Sequence, residues 1–203
     1  MKYKLTFNTK TSGGITLYQI EALVDIPQLN IKKGDLGGWI QKESNLNQIG
    51  DAWVYGNALV SDNARVSDNA LVSGNAKVSG NAWVYDNALV SDNAKVSGNA
   101  WVYGDALVGG NAKVYGDAKV SGDAKIENTN DYMTISSLGD LNRTITITFS
   151  NKMIHAGCFI GTLDEFKEAV DKKYQGRGNY YATINYITEL FGNNKYGELN
   201  KKN

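Results

Sequence analysis

From Asp51 onward, small and branched apolar residues alternate with polar ones on an unbroken period of six. The chain reads DAWVYG, NALVSD, NARVSD, NALVSG, NAKVSG, NAWVYD and so on to DAKIEN, thirteen consecutive sixes ending at Asn128. Every unit has Ala in second place and Val in fourth, with Ile126 standing for Val in the last. Residues two apart on an extended strand share a face. Ala and Val therefore point to one side and the residues around them to the other. First place is always Asn or Asp, and sixth is Gly or Asp except at Asn128. These residues tolerate left-handed backbone and mark a bend between short strands. Short strands closed by regular bends predict a solenoid. Three sixes make a triangular coil of 18 residues, so the repeat spans about 4.3 coils and about 20 Å at the usual strand spacing.

Folding the repeat at 18 residues sorts the outward positions into three chemically different rows. The first face carries Trp53, Leu71, Leu89 and Leu107, followed by Lys125. Such a contiguous apolar row in water marks either a contact between copies or a strip covered by the chain's own flanks. The second face carries Leu59, Lys77, Lys95 and Lys113, a solvated row that discourages edge-to-edge pairing. The third carries Arg65, Trp83, Trp101 and Lys119, with Ser67, Tyr85, Tyr103 and Ser121 beside them. Trp83, Tyr85, Trp101 and Tyr103 form a candidate binding platform for a sugar, a base or a partner side chain. Cross-strand aromatic packing that only stabilises the coils is the competing reading.

Outside the repeat the pattern changes. Lys2–Phe7 and Ile15–Leu23 alternate as short strands around Thr11-Ser12-Gly13-Gly14, and Gly34–Ile49 reads as an N-terminal cap. Arg143–Phe149 and Met153–Phe159 predict an antiparallel pair around Ser150-Asn151-Lys152. Thr162 and Glu165 have capping-box spacing and open a helix expected from Leu163 to Lys173. A second helix is expected from Tyr180 to Phe191, with Ile184, Ile187, Leu190 and Phe191 on one face. The tail 192–203 is polar and expected to fray. Residues 1–50, 51–128 and 129–203 are thus expected as β unit and cap, solenoid, and small α+β module.

Charge narrows the functional classes. Lys+Arg and Asp+Glu are both 21, and within the repeat nine acids oppose six bases, the wrong sign for a phosphate-driven nucleic-acid binder. No apolar run approaches the length of a spanning helix, and the N-terminus shows no secretory h-region. One cysteine, Cys158, excludes an intrachain disulfide and suits a reducing compartment. A cytosolic protein is expected, with assembly into a virion also compatible.

The A-x-V-x-[GD]-[ND] pattern resembles the hexapeptide-repeat family of left-handed parallel β-helices, which implies that handedness here and commonly a trimer. Acyltransferases of that family need a histidine base beside a projecting loop, and its γ-type carbonic anhydrases hold a metal through three histidines. The repeat has no histidine and no insertion, and His155 is the chain's only one. His155 and Cys158 are three apart and face opposite sides of a strand. No catalytic residue, metal site or cofactor is therefore expected. Outward positions also lack the Thr rows of ice-binding solenoids. The segments DLGGWIQKESNLNQIGDAWVYGNA and GCFIGTLDEF resemble those of phage and prophage proteins carrying hexapeptide repeats. That resemblance implies a viral product that binds a host or phage protein, and motivates inhibition of a host defence system. Capture of a nucleotide or sugar on the platform is the alternative, and an acyltransferase with a non-standard base is a third reading.

Overall fold

The computed structural model describes residues 1–138, 143–175 and 180–192, so the expectation for the tail falls outside the described residues apart from Gly192. The chain is mainly β, a parallel solenoid of about five turns with a small C-terminal module. It divides into two compact units, Met1–Asp131 and Tyr132–Asn203.

In the first unit a hairpin of β1 (Tyr3–Ser12) and β2 (Ile15–Ala22) precedes β3 (Leu36–Ile40). Thirteen two-residue strands follow, β4 (Trp53–Val54) to β16 (Lys125–Ile126), one per hexad. They form three parallel stacks at the predicted 18-residue register: Trp53 beside Leu71, Leu59 beside Lys77, Trp83 beside Trp101. Every inward Ala and Val of the repeat is at most 1% exposed. A methyl and an isopropyl group are what the narrow interior holds, and coil-to-coil backbone bonds such as Leu59 N–H to Ala76 carbonyl (2.9 Å) close the stack.

The corners show why the first and sixth places are restricted. First-place asparagines donate from one coil to the next along each corner: Asn57 to Asn75 to Asn93 to Asn111, and Asn63 to Asn81 to Asn99 to Asp117. The third corner runs Asn69 to Asn87 to Asp105. An amide both donates and accepts and so propagates a row, whereas a carboxylate only accepts. Asp accordingly stands at the C-terminal end of two of these rows. Sixth-place aspartates take positive φ, 58° at Asp62 and 56° at Asp92, and their carboxylates accept from the N–H one coil on, Gly80 at 3.0 Å and Gly110 at 2.9 Å. The turn reading of these positions omitted both ladders.

Expected as a cap, the segment before Asp51 forms a further coil. β3 pairs in parallel with β5 (Leu59–Val60), Trp39 opposite Leu59 and Ile40 opposite Val60. Gly38 holds the Ala place, where even a methyl carbon would come within 2.6 Å of a Val54 methyl. The chain then leaves the strand through a short 3-10 turn, Glu43–Asn45, before Leu46 bridges to Val66. The hairpin extends this sheet through β2, antiparallel to β3.

The second unit holds four antiparallel strands in chain order, β17 (Tyr132–Leu138), β18 (Arg143–Thr148), β19 (Met153–Ala156) and β20 (Phe159–Gly161). The predicted pair is present as β18 and β19, but the strand expected from Met153 to Phe159 ends at Ala156, where Gly157 (φ 67°) turns the chain back into β20, and β17 adds a further strand. Helix α1 (Leu163–Tyr174) starts at the predicted Thr162–Glu165 capping box, and α2 spans Tyr180–Gly192. Ile145, Ile147, Ile154, Phe166, Val170, Ile184 and Ile187 form its core.

Candidate functional site

The third face of the solenoid builds its surface from two rows of rings. Trp83 and Trp101 lie nearly parallel, centroids 5.4 Å apart and planes 12° from each other. Tyr85 and Tyr103 lie parallel at 4.9 Å and 2°. The two rows are almost perpendicular, with Trp83 to Tyr85 at 88° and Tyr85 to Trp101 at 77°. These separations fall within the ~4.5–7 Å over which aromatic pairs attract one another. Strand spacing produces them directly, because identical places in successive coils sit one strand apart.

Cations close the tryptophan row at both ends. The Arg65 guanidinium carbon lies 5.4 Å from the Trp83 ring centre, and Lys119 Nζ lies 4.9 Å from that of Trp101. Strand order places Arg65, Trp83, Trp101 and Lys119 in one line. Each indole therefore has the other indole as one neighbour along the row and a cation as the other. Trp83 is 39% exposed, while Trp101, Tyr85 and Tyr103 are half-buried. Burial, with Tyr103, Asp86 and Asp68 nearby, pushes the Tyr85 phenol up to about 12, and burial also raises Tyr103. The ridge stays neutral apart from its terminal cations.

The four predicted platform residues thus come together, as a ridge flanked by a cation at each end of its tryptophan row. Sequence periodicity gave the line-up; it carried no signal for the inclination of the rings or the closure by Arg65 and Lys119. Beside the ridge, toward the N-terminus, a groove of about 540 Å³ lies between the Glu43–Gln48 loop and Arg65, Ser67 and Trp83.

The apolar row of the first face is shorter than expected by its first member. Trp53 is 1% exposed because Tyr3, from β1, packs edge-on against it at 6.3 Å. The Tyr3 hydroxyl is shared between the Glu43 and Leu46 carbonyls, each 2.8 Å away. Trp53 is therefore core, and Leu71 and Leu89 (half-buried) with Leu107 (39% exposed) remain on the surface. A partner 50 residues away in sequence left no local signal. Elsewhere, His155 is buried in β19 while Cys158 is exposed in the following turn. Among the described residues no group of three His, Cys, Asp or Glu side chains is placed to hold a metal ion.

A family model described as YdcK Beta solenoid repeat matches residues 52–68 and 64–80. The chain is similar to that repeat over the first hexads, in agreement with the solenoid. No curated protein matches the chain significantly.

Proposed function

We propose that this is a non-catalytic binding protein, with the solenoid as a rigid support and the third-face ridge as its contact surface for a protein partner. The closed row Arg65–Trp83–Trp101–Lys119 carries the reading. A flat ring such as a nucleobase needs an open aromatic face, and on this row it would have to displace Arg65 or Lys119. A protein surface can use ring edges and flanking cations together, and Trp, Tyr and Arg dominate binding energy at protein interfaces. Leu71, Leu89 and Leu107 offer a second strip, which we assign to self-association; the hexapeptide-repeat resemblance favours a trimer. The phage-type leading and exit segments support a viral product acting on a host protein in the cytosol, with a defence component as the candidate target.

Site-specific photo-crosslinking tests the main claim. A photoreactive phenylalanine at Trp83 should give a discrete adduct with another protein in expressing cells, and the same probe at Lys95 should not. Equal labelling from both positions, or none from Trp83, would remove the ridge from recognition. A second reading, capture of a small molecule, is favoured by the groove beside Trp83.

A further inference from the structure

We propose that the groove at the N-terminal end of the third face binds a neutral saccharide. This rests on the small-molecule reading but moves the site off the ring faces. Each outer face ends, toward the N-terminus, at the coil formed before the hexads, and the three ends differ. On the first face Trp53 lies under Tyr3. On the second, Trp39 stands beside Leu59 with the Lys10 ammonium 4.3 Å over its ring. On the third, no equivalent side chain is set over Arg65. Asn45 turns its amide back into the backbone, donating to the Asp62 and Ala64 carbonyls at 3.1 and 2.8 Å. Leu46 keeps the inward place beside Val66. Among the described residues this end stays open, and its volume falls within the ~300–1,000 Å³ of small-molecule sites.

The walls of the groove are fixed. The Gln48 side-chain oxygen accepts from Lys2 N–H at 2.7 Å and its amide donates to the Tyr3 carbonyl at 3.2 Å, so the loop is tied to β1. The Arg65 guanidinium carbon stands 5.4 Å over the Trp83 ring. The groups left for a ligand are the Glu43 carboxylate, the Ser44 hydroxyl, the Asn47 amide nitrogen and the Arg65 guanidinium. None of these has a hydrogen bond or ion pair from its side chain among the described residues. One positive and one negative charge cancel, so the groove selects no net charge.

Carboxylate, amide and guanidinium are planar groups presenting paired acceptors or donors. Adjacent sugar hydroxyls, each able to donate and accept, match such pairs on both signs. The exposed part of Trp83, beside Arg65, adds van der Waals contact. A stacked base is not served here, because Arg65 already occupies the open side of Trp83.

Calorimetry and intrinsic tryptophan fluorescence of the full chain test this with maltotriose, cellotriose and chitotriose, against the galacturonic acid and glucosamine trimers. At least one neutral trimer should bind saturably. Its Kd should rise about tenfold or more in Arg65→Met, from loss of a charged hydrogen-bond donor, and also in Asn47→Ala, with circular dichroism unchanged in both. Affinity in Lys95→Ala should stay at the wild-type value. Saturable binding left unchanged by both Arg65→Met and Asn47→Ala would sink the groove and keep the small-molecule reading. Tighter binding of a charged trimer would overturn the neutral class, and no binding of any trimer would overturn both.

Discussion

Gly98 offers a direct test of how the corners are built. Its φ is +72°, and a Cβ there would lie 2.8 Å from Gly116 N, 3.0 Å from its carbonyl oxygen and 3.2 Å from its Cα. Ala in left-handed backbone costs ~1–2 kcal/mol, and the forced contact adds ~1 kcal/mol or more of overpacking. A more restricted unfolded chain returns ~0.4–1 kcal/mol. Gly98→Ala should therefore cost about 2 kcal/mol. Asp holds the same place in the repeat at Asp92, where φ is 56° and its carboxylate accepts from Gly110 N–H at 2.9 Å. In Gly98→Asp the equivalent bond to Gly116 N–H offsets most of the cost, because Asp adopts left-handed backbone more readily and a bond to a charged acceptor contributes ~1.5 kcal/mol. The two variants should differ by about 2 kcal/mol, or about 4–8 °C in Tm at ~2–4 °C per kcal/mol. Thermal unfolding by circular dichroism measures this directly. Gly98→Asp as damaging as Gly98→Ala would refute the carboxylate-to-next-coil account of the repeat.

Leu89→Lys, in the middle of the exposed first-face row, should lower the subunit number seen by native mass spectrometry while leaving circular dichroism unchanged. An unaltered mass would remove the row from self-association. Lys2 Nζ donates to the Gly50 and Ala52 carbonyls at 3.0 and 2.8 Å, and burial lowers its pKa to about 8 from the ordinary 10.5. Between those values the unfolded chain holds the extra proton, so stability should rise as pH climbs from 8 toward 10. Denaturant midpoints should show that rise in the wild type and a weaker one in Lys2→Met; parallel profiles would refute it.

Much of the solenoid was legible because its interior admits so little variation. Invariant Ala and Val fix which residues point inward, and the absence of insertions fixes the register, so the rows follow from the amino-acid sequence alone. The coil before Asp51 escaped notice because its spacing is different: Trp39 pairs with Leu59 and Leu46 with Val66, each 20 residues on instead of 18. Gly38-Trp39-Ile40 is the hexad's Ala-x-Val with the methyl removed, and that substitution was its only local trace. In the C-terminal module β17 was missed although Met133 and Ile135 alternate within it, opposite Ile147 and Ile145. The first-face row and the ridge were read correctly as alignments and incompletely as surfaces. What covers Trp53 and what closes the tryptophan row depend on side chains from other parts of the fold, which periodicity does not encode.

The second face bears on whether the ridge exists only to hold the coils together. Lys77, Lys95 and Lys113 occupy on that face the places that Trp83 and Trp101 occupy on the third, and the backbone bonds are the same. Lys77 N–H reaches the Ala94 carbonyl at 2.9 Å, and Trp83 N–H reaches that of Ala100 at 2.9 Å. Inward Ala and Val are equally buried beneath both rows. Coils of this repeat therefore stack without aromatic side chains. Lysine also guards against association, whereas an exposed tryptophan invites it. Each aromatic pair still adds ~0.5–1.5 kcal/mol of packing, but stability alone gives no reason to place that packing on one face and leave Trp83 open to water. A contact surface does. The larger groove, about 540 Å³, adjoins that ridge at Arg65 and Trp83, whereas the cavity at the N-terminal end of the lysine row, between Leu59, Lys77 and the hairpin, is about 210 Å³.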